Sequence, residues 1–194
     1  MTADRCDLLV RGARVIDPAQ ALDAVADVAV AGGRIAGVGD MPVPRAARVI
    51  DGGGLVASPG WIDLHVHCVE GPGVGAVHPD RDAGIDAGVT TVVDTGSVGV
   101  DRLDELLDVA RSARTRVLGF LNVSATRTAP VHGDWQAFDQ ARTIAAAERH
   151  RDRVVGIKVL ASQRHCGNLG LVPGRPHDSP RVAGGRGVGR REPR

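Results

Sequence analysis

Two histidines stand out because their type and spacing suit a metal centre. They lie in Asp63-Leu64-His65-Val66-His67, at the end of an apolar run that begins at Trp61. Side chains alternate between the two faces of a strand, so Asp63, His65 and His67 are expected to share one face. Two imidazoles spaced in this way can converge on one metal ion. A pair of hydrogen-bonded strand histidines is the alternative, but the position at the end of the first strand of a β/α series favours metal binding.

Lys158 is the second anchor, and it is the only lysine in a chain with 23 arginines. It lies in Val155-Gly156-Ile157-Lys158-Val159, which is predicted to be a buried strand. A buried ammonium group needs a partner or has to lose its proton. A neutral lysine amine can add CO₂ to give a carbamate whose two oxygens can bridge two metal ions, and an arginine cannot do this. A salt-bridged or partly exposed lysine is the alternative.

The elements that must position these residues change in character after residue 56. Residues 1–56 contain short apolar runs with tight turns and predict a small β domain. The signals include two short strands on either side of Gly12 and a hairpin at Gly32-Gly33. From residue 57 to residue 171, four near-continuous apolar strands alternate with helical segments, which is typical of a parallel α/β sheet buried on both faces. The predicted helices cover residues 79–87, 100–113 and 134–150. In the second of them, five apolar residues form one stripe at helical spacing: Val100, Leu103, Leu106, Leu107 and Ala110. Either a doubly wound sheet or a (β/α)₈ barrel fits, although no GxGxxG follows a strand.

Several of these segments resemble the opening of amidohydrolase-superfamily enzymes. The resemblance is carried by residues 7–12 and by Ser58-Pro59-Gly60-Trp61-Ile62-Asp63-Leu64-His65-Val66-His67. Residues 78–80, 88–94 and 155–159 narrow it to the dihydroorotase-like amidohydrolase/deacetylase group.

The resemblance implies a fold, a metal centre and a reaction. The fold would be a partial (β/α)₈ TIM barrel, with its first four β/α units in residues 57–171, after a small β-sandwich-type domain in residues 1–56. His65 and His67 would bind one metal, and carboxylated Lys158 would bridge two, usually Zn²⁺. The family's other two histidines and its Asp base lie on later strands, so no catalytic residue is assigned here. The substrate would be a small-molecule amide or N-acyl compound, hydrolysed at an amide-type C–N bond.

The last 23 residues differ from the rest of the chain. Residues 172–194 contain six arginines, five glycines and four prolines but few large aliphatic residues. This composition cannot form a packed core and predicts a disordered tail. An Arg/Gly/Pro-rich tail in place of the later strands suggests a frameshift or a premature end near Leu171, and a chain without those strands is expected to be inactive.

Other residues receive weaker predictions. Ser162 and Arg164, together with His165, follow the Lys158 strand and could contact substrate, with an ordinary polar loop as the alternative. Cys68 is expected to pack away from the metal side. The remaining histidines with a predicted role are expected to be surface or capping residues: His78, His132 and His150.

Composition limits the other function classes. No apolar run approaches the roughly 20 residues that a membrane span needs, and residues 1–7 lack the features of a secretory signal. Three widely spaced cysteines argue against a disulfide framework, so we expect a cytoplasmic protein. A non-catalytic interaction module is the alternative to the enzyme, and a homo-oligomer is left open. Nucleic-acid binding through the basic tail is not expected, because the remaining 171 residues carry a net negative charge.

Overall fold

The computed structural model describes four stretches of the chain, which form two compact units divided between Trp61 and Ile62. The described residues are 5–40, 45–71, 75–125 and 138–160. Several predictions fall outside them: those for Ser162, Arg164, His165, His132 and the tail of residues 172–194.

The first unit is a five-stranded mixed sheet. Its strands are β1 (Arg5–Asp17), β2 (Leu22–Ala31), β3 (Arg34–Gly39), β4 (Arg45–Asp51) and β5 (Val56–Ala57). They are ordered β3-β2-β1-β4, with β5 beside β1. β1 is antiparallel to β2 and parallel to β4 and β5. Leu9 is fully buried at the centre, with Cys6 and Ala29 around it.

Two glycine positions explain how β1 to β3 are shaped. The predicted hairpin at Gly32-Gly33 is confirmed, because both glycines have positive φ between β2 and β3. The prediction of two short strands flanking Gly12 is wrong. They form one strand, β1, in which Gly12 has φ +66° and its N–H donates to Asp27 Oδ1 at 2.8 Å. The register with β2 shifts at this point, so Gly12 bulges the strand without ending it.

The second unit is a four-stranded sheet with two helices, which confirms the predicted α/β class. The strands are β6 (Trp61–Val66), β7 (Val89–Thr95), β8 (Arg116–Asn122) and β9 (Val154–Lys158), in that spatial order. β7, β8 and β9 are mutually parallel. The helices are α1 (Leu103–Ser112) and α2 (Gln140–Arg149). In the part of the chain that the structure describes, no helix is long and apolar enough to span a membrane.

One face of this sheet packs against α1. Val92 of β7 and Val117 and Leu121 of β8 are completely buried, in one cluster with Leu106 of α1. The helical stripe predicted from the sequence is confirmed, because its α1 members are all buried: Leu103, Leu106, Leu107 and Ala110. We call the side of the sheet that packs on α1 the helix face and the other side the open face.

The outer strands correct the prediction of a sheet buried on both faces. Leu64 of β6 is 64% exposed and Ile157 of β9 is 43% exposed. Among the described strands, β6 and β9 each have a neighbour on one side only, which leaves these side chains uncovered. Lys158, which was expected in a buried strand, is half-buried.

The predicted helix over residues 79–87 is also wrong, because only a 3₁₀ turn forms there, at Ile85–Ala87. Gly84 packs so closely on Pro79 that an added Cβ would lie 1.9 Å from the Pro79 carbonyl oxygen. The His78 ring accepts hydrogen bonds from the Asp80 and Arg81 N–H groups. Such side-chain bonds to the backbone compete with helix formation.

Candidate metal centre

The two histidines lie at the carboxyl end of β6 and on its open face. Val66 packs in the helix-face cluster, so alternation directs His65 to the open face. The rings of His65 and His67 have centroids 5.8 Å apart and are inclined at 73°. The His65 N–H donates to Asp63 Oδ1 at 2.9 Å, which ties down the strand just before the pair.

This spacing can be compared with what one ion requires. With Zn–N distances of about 2.0–2.1 Å and tetrahedral angles, two imidazoles on one zinc have centroids roughly 5 Å apart. The observed separation therefore fits a pair of rings that shares an ion after a small adjustment. Among the described residues, no three His, Cys, Asp or Glu side chains cluster closely enough to hold a metal.

Lys158 ends β9 on the same open face. It is in register with Asn122 of β8, and Asn122 follows Leu121, which packs on the helix face. Alternation therefore directs both Asn122 and Lys158 to the open face. Among the described residues, Lys158 takes part in no ion pair, unlike many of the arginines.

The end of β7 and the bend after it contact residues from both outer strands of the sheet, β6 and β9. We call these residues, 94–97, the 94–97 turn. Asp94 is fully buried, and its carboxylate accepts hydrogen bonds from the N–H groups of Cys68 and Ser97, each at 2.7 Å. Ser97 Oγ lies 2.8 Å from His67 Nδ1. The turn is thus bonded both to the chain that follows β6 and to the His67 ring.

The same turn also touches the β9 side. Gly96 has φ +76°, and a Cβ placed there would lie 2.7 Å from both Cβ and Cγ of Lys158. The Gly96 carbonyl accepts a hydrogen bond from Asn122 Nδ2 at 3.2 Å. Only glycine allows this approach, because a side chain would meet the lysine stem and disfavour the positive φ.

Cys68 is next to His67 but belongs to the core. It is buried in the helix-face cluster, which confirms the prediction that it packs. Burial raises the pKa of the Cys68 thiol to about 12, and the negative charges of Asp94 and Asp63 add to this effect. Its side chain is therefore a core group and is not counted among the candidate ligands.

The other histidines within the described residues are accounted for by local structure. His78 is exposed, and its ring accepts from two backbone N–H groups, which confirms the predicted capping role. The backbone of His150 closes the last turn of α2.

Sequence reasoning assigned no role to three residues of the 94–97 turn: Asp94, Gly96 and Ser97. A signal was present, since Asp94 is a lone carboxylate at the end of the apolar run Thr90-Thr91-Val92-Val93. A buried carboxylate requires hydrogen-bond donors, and the next glycine marks a turn that can supply them.

The second unit is thus an α/β fold in which His65, His67 and Lys158 lie at the carboxyl ends of two strands of one sheet, β6 and β9. Comparison with known proteins gives deacetylases and dihydroorotases as relatives. The chain is 33% identical over 155 residues to a deacetylase of Agrobacterium fabrum, covering 76% of this chain and 38% of that protein. It is 35% identical over 122 residues to a deacetylase of Enterococcus faecalis, covering 62% and 33%. A 62-residue stretch is 47% identical to a dihydroorotase of Geobacter sulfurreducens, covering 31% and 15%.

Solved structures agree with these relatives. An adenine deaminase superposes with a TM-score of 0.70 at 28% identity, covering 87% of this chain and 45% of that one. A dihydroorotase superposes with a TM-score of 0.69 at 28% identity, covering 86% and 46%. The predicted resemblance to the amidohydrolase superfamily is therefore confirmed. The chain spans a third to a half of the length of the two deacetylases and the two solved structures, and no family model matches it.

Proposed function

We propose that this chain contributes the metal-binding part of a metal-dependent amidohydrolase that cleaves an amide-type C–N bond in a small molecule. The observation that carries the proposal is the paired His65 and His67 rings on the open face, 5.8 Å apart, with Lys158 ending β9 on that same face. Relatives named deacetylase and dihydroorotase support the reaction class. The four β/α steps would form part of a (β/α)₈ barrel, at whose carboxyl edge active sites lie.

The ligand set would be His65, His67 and a carboxylated Lys158, with zinc as the metal. In carboxylation the neutral amine nitrogen attacks the carbon of CO₂, a C–N bond forms, and one proton leaves to solvent. The product carries a negative charge, and its two oxygens suit a dinuclear centre. Arginine in place of Lys158 could not form it, because the guanidinium keeps its proton.

A bound metal would polarise the scissile carbonyl and make a bound water acidic enough to attack it. The chain's own residues would supply the frame for that chemistry. His65 and His67 would fix the metal to β6, and Lys158 would fix it to β9, so that the ion spans the sheet edge. No residue is assigned as the general base, and no observation favours the non-catalytic interaction module.

Zinc binding by the full chain tests the proposal. We expect equilibrium dialysis followed by elemental analysis to show tight zinc binding, with affinity about 100-fold lower or more in the His65→Ala/His67→Ala double variant. The magnitude follows from a total of about 10–16 kcal/mol shared by the ligands of a zinc site.

The matched control is the His78→Ala/His150→Ala double variant, which removes two histidines outside the proposed ligand set and should bind zinc as the unmodified chain does. Zinc-loaded chain is also assayed on N-acetyl amino acids and cyclic amides. Equal zinc binding by the His65/His67 variant and its control would refute the proposed centre.

The proposed carbamate can be detected directly, because Lys158 is the only lysine. We expect zinc-loaded chain in ¹³C-bicarbonate to give a carbamate carbon resonance that is lost in Lys158→Ala. Lys158→Arg is the control that keeps the positive charge and the N-terminal amine. A resonance that persists in both variants would belong to the N-terminus and would contradict carboxylation of Lys158.

A further inference from the structure

The 94–97 turn contacts both proposed ligand groups, although β6 and β9 are separated in the sheet by β7 and β8. Ser97 lies at hydrogen-bond distance from His67, and Gly96 packs on the stem of Lys158. The position of one ligand relative to the other therefore depends on this turn.

Asp94 holds the turn in place. It has no exposed surface, and its two oxygens accept from backbone N–H groups on two different segments, Cys68 after β6 and Ser97 within the turn. Bonds from N–H groups to a charged carboxylate are stronger than neutral ones. Because Cys68 is the residue after His67, Asp94 fixes both the chain that carries the ring and the hydroxyl that contacts the ring.

Ser97 is suited to orient the His67 ring. It is completely buried, and its Oγ lies 2.8 Å from Nδ1. A histidine that binds a metal through one ring nitrogen usually donates its other N–H to an oxygen, which fixes both the tautomer and the ring plane. Nδ1–H donated to Ser97 Oγ would put the acceptor lone pair on Nε2, at the far side of the ring from Ser97.

We propose that the 94–97 turn is a positioning element: Asp94 fixes Ser97, Ser97 orients His67 through Nδ1–H, and Gly96 sets the approach of Lys158. This inference rests on the proposed metal centre for its purpose, but its geometric content concerns the chain alone. Asp94 and Ser97 touch no metal in it and act only through His67.

The tautomer of His67 tests the first step without any metal. Nitrogen-15 NMR of the full metal-free chain at about pH 8.5, where an ordinary imidazole is neutral, is expected to show His67 as the Nδ1–H tautomer. His67→Gln assigns the signal. Ser97→Ala is expected to give a mixture of tautomers, and Ser97→Thr, which keeps the hydroxyl, is expected to restore Nδ1–H. An Nε2–H tautomer in the unmodified chain, or no change in Ser97→Ala, would overturn the proposal.

Zinc affinity tests the consequence. We expect Ser97→Ala and Asp94→Asn to lower zinc affinity about 10–100-fold, the usual effect of losing a group that orients a metal ligand. Ser112→Ala, which removes an exposed hydroxyl at the end of α1, and Asp80→Asn, which alters another buried carboxylate, should leave the affinity unchanged. If Asp94→Asn does not fold, Ser97→Ala and Ser97→Thr decide the matter.

Gly96→Ala tests the Lys158 contact. The added methyl is expected to displace the lysine stem and to weaken the ¹³C carbamate resonance at least several-fold, and an unchanged resonance would contradict this part of the proposal. The outcomes separate the two proposals. An unmodified chain that binds no zinc would remove the proposed function, while the tautomer would still decide the positioning role. Tight zinc binding that is equal in Ser97→Ala would overturn the positioning role alone.

Discussion

Two buried aspartates lie near opposite edges of the second unit's sheet, and both accept hydrogen bonds from backbone N–H groups. The contacts that follow from these bonds differ between the two edges. Asp94, at the carboxyl end of β7, accepts from the N–H groups of Cys68 and Ser97. Asp80, beside the amino end of β8, accepts from the N–H groups of Arg114 and Thr115 at 3.2 and 2.8 Å. Each carboxylate ties together two segments that are distant in sequence.

The difference lies in what the bonded groups do next. At the amino end, the Arg114 side chain forms an ion pair with Asp86, and Thr115 Oγ1 accepts from the Ile85 N–H, so the chain of contacts ends in structure. At the carboxyl end, Ser97 passes the contact to His67, a side chain that can take part in chemistry. The same kind of carboxylate bonding therefore ends in structural contacts at one edge and in a contact with a histidine ring at the other.

The largest expected effect comes from removing the Asp94 carboxylate. Asp94→Ala leaves two buried N–H groups without their acceptor and should lower the free energy of unfolding by about 2–4 kcal/mol. It should also weaken zinc binding, whereas Asp80→Ala should lower stability alone. Urea unfolding and zinc dialysis of both variants make the comparison. Equal loss of zinc affinity in the two variants would contradict the claim that only the carboxyl edge affects zinc binding.

The stability contributed by Asp80, at the amino edge, should depend on pH. Hydrogen bonds from Thr115, with the nearby N–H and charge of Arg114, lower the pKa of Asp80 from 3.8 to about 2. A lowered folded-state pKa adds stability that is present above about pH 4 and is lost as the pH falls towards 2. The stability difference between the unmodified chain and Asp80→Asn should therefore shrink between pH 5 and about pH 2.5, as measured by urea unfolding.

The control for this measurement is Asp104→Asn, which alters an exposed carboxylate on α1. Its stability difference from the unmodified chain should stay small at both pH values. A difference for Asp80→Asn that is constant over the range would show that Asp80 does not gain stability from ionisation.

The smallest effect is expected at Cys68, which is a core residue next to the proposed ligand His67. Because its side chain is buried in the helix-face cluster, Cys68→Ala should leave zinc affinity within about twofold of the unmodified chain. The loss of a buried side chain should lower the free energy of unfolding by about 1 kcal/mol. A large drop in zinc affinity with stability unchanged would make Cys68 a ligand and would contradict the proposed ligand set.

Much of the fold could be predicted from local pattern. Apolar spacing predicts the buried stripe of α1 and the four strands of the second unit's sheet. Glycine positions predict the β2–β3 hairpin. The region of residues 79–87 could not be predicted in this way, because Gly84 takes its conformation from contact with Thr115, 31 residues later. The bulge at Gly12 likewise depends on Asp27 in the neighbouring strand.

For the candidate site, the sequence alone determined the residue types and the face they share. The strand period of two puts His65 and His67 on one side of β6, and a lone lysine at the end of an apolar run is visible without coordinates. Only the tertiary structure decided how these groups are held, because hydrogen bonds between β6 and the 94–97 turn join residues about 30 positions apart. Burial was decided in the same way, since the exposure of β6 and β9 depends on which strands lie beside them.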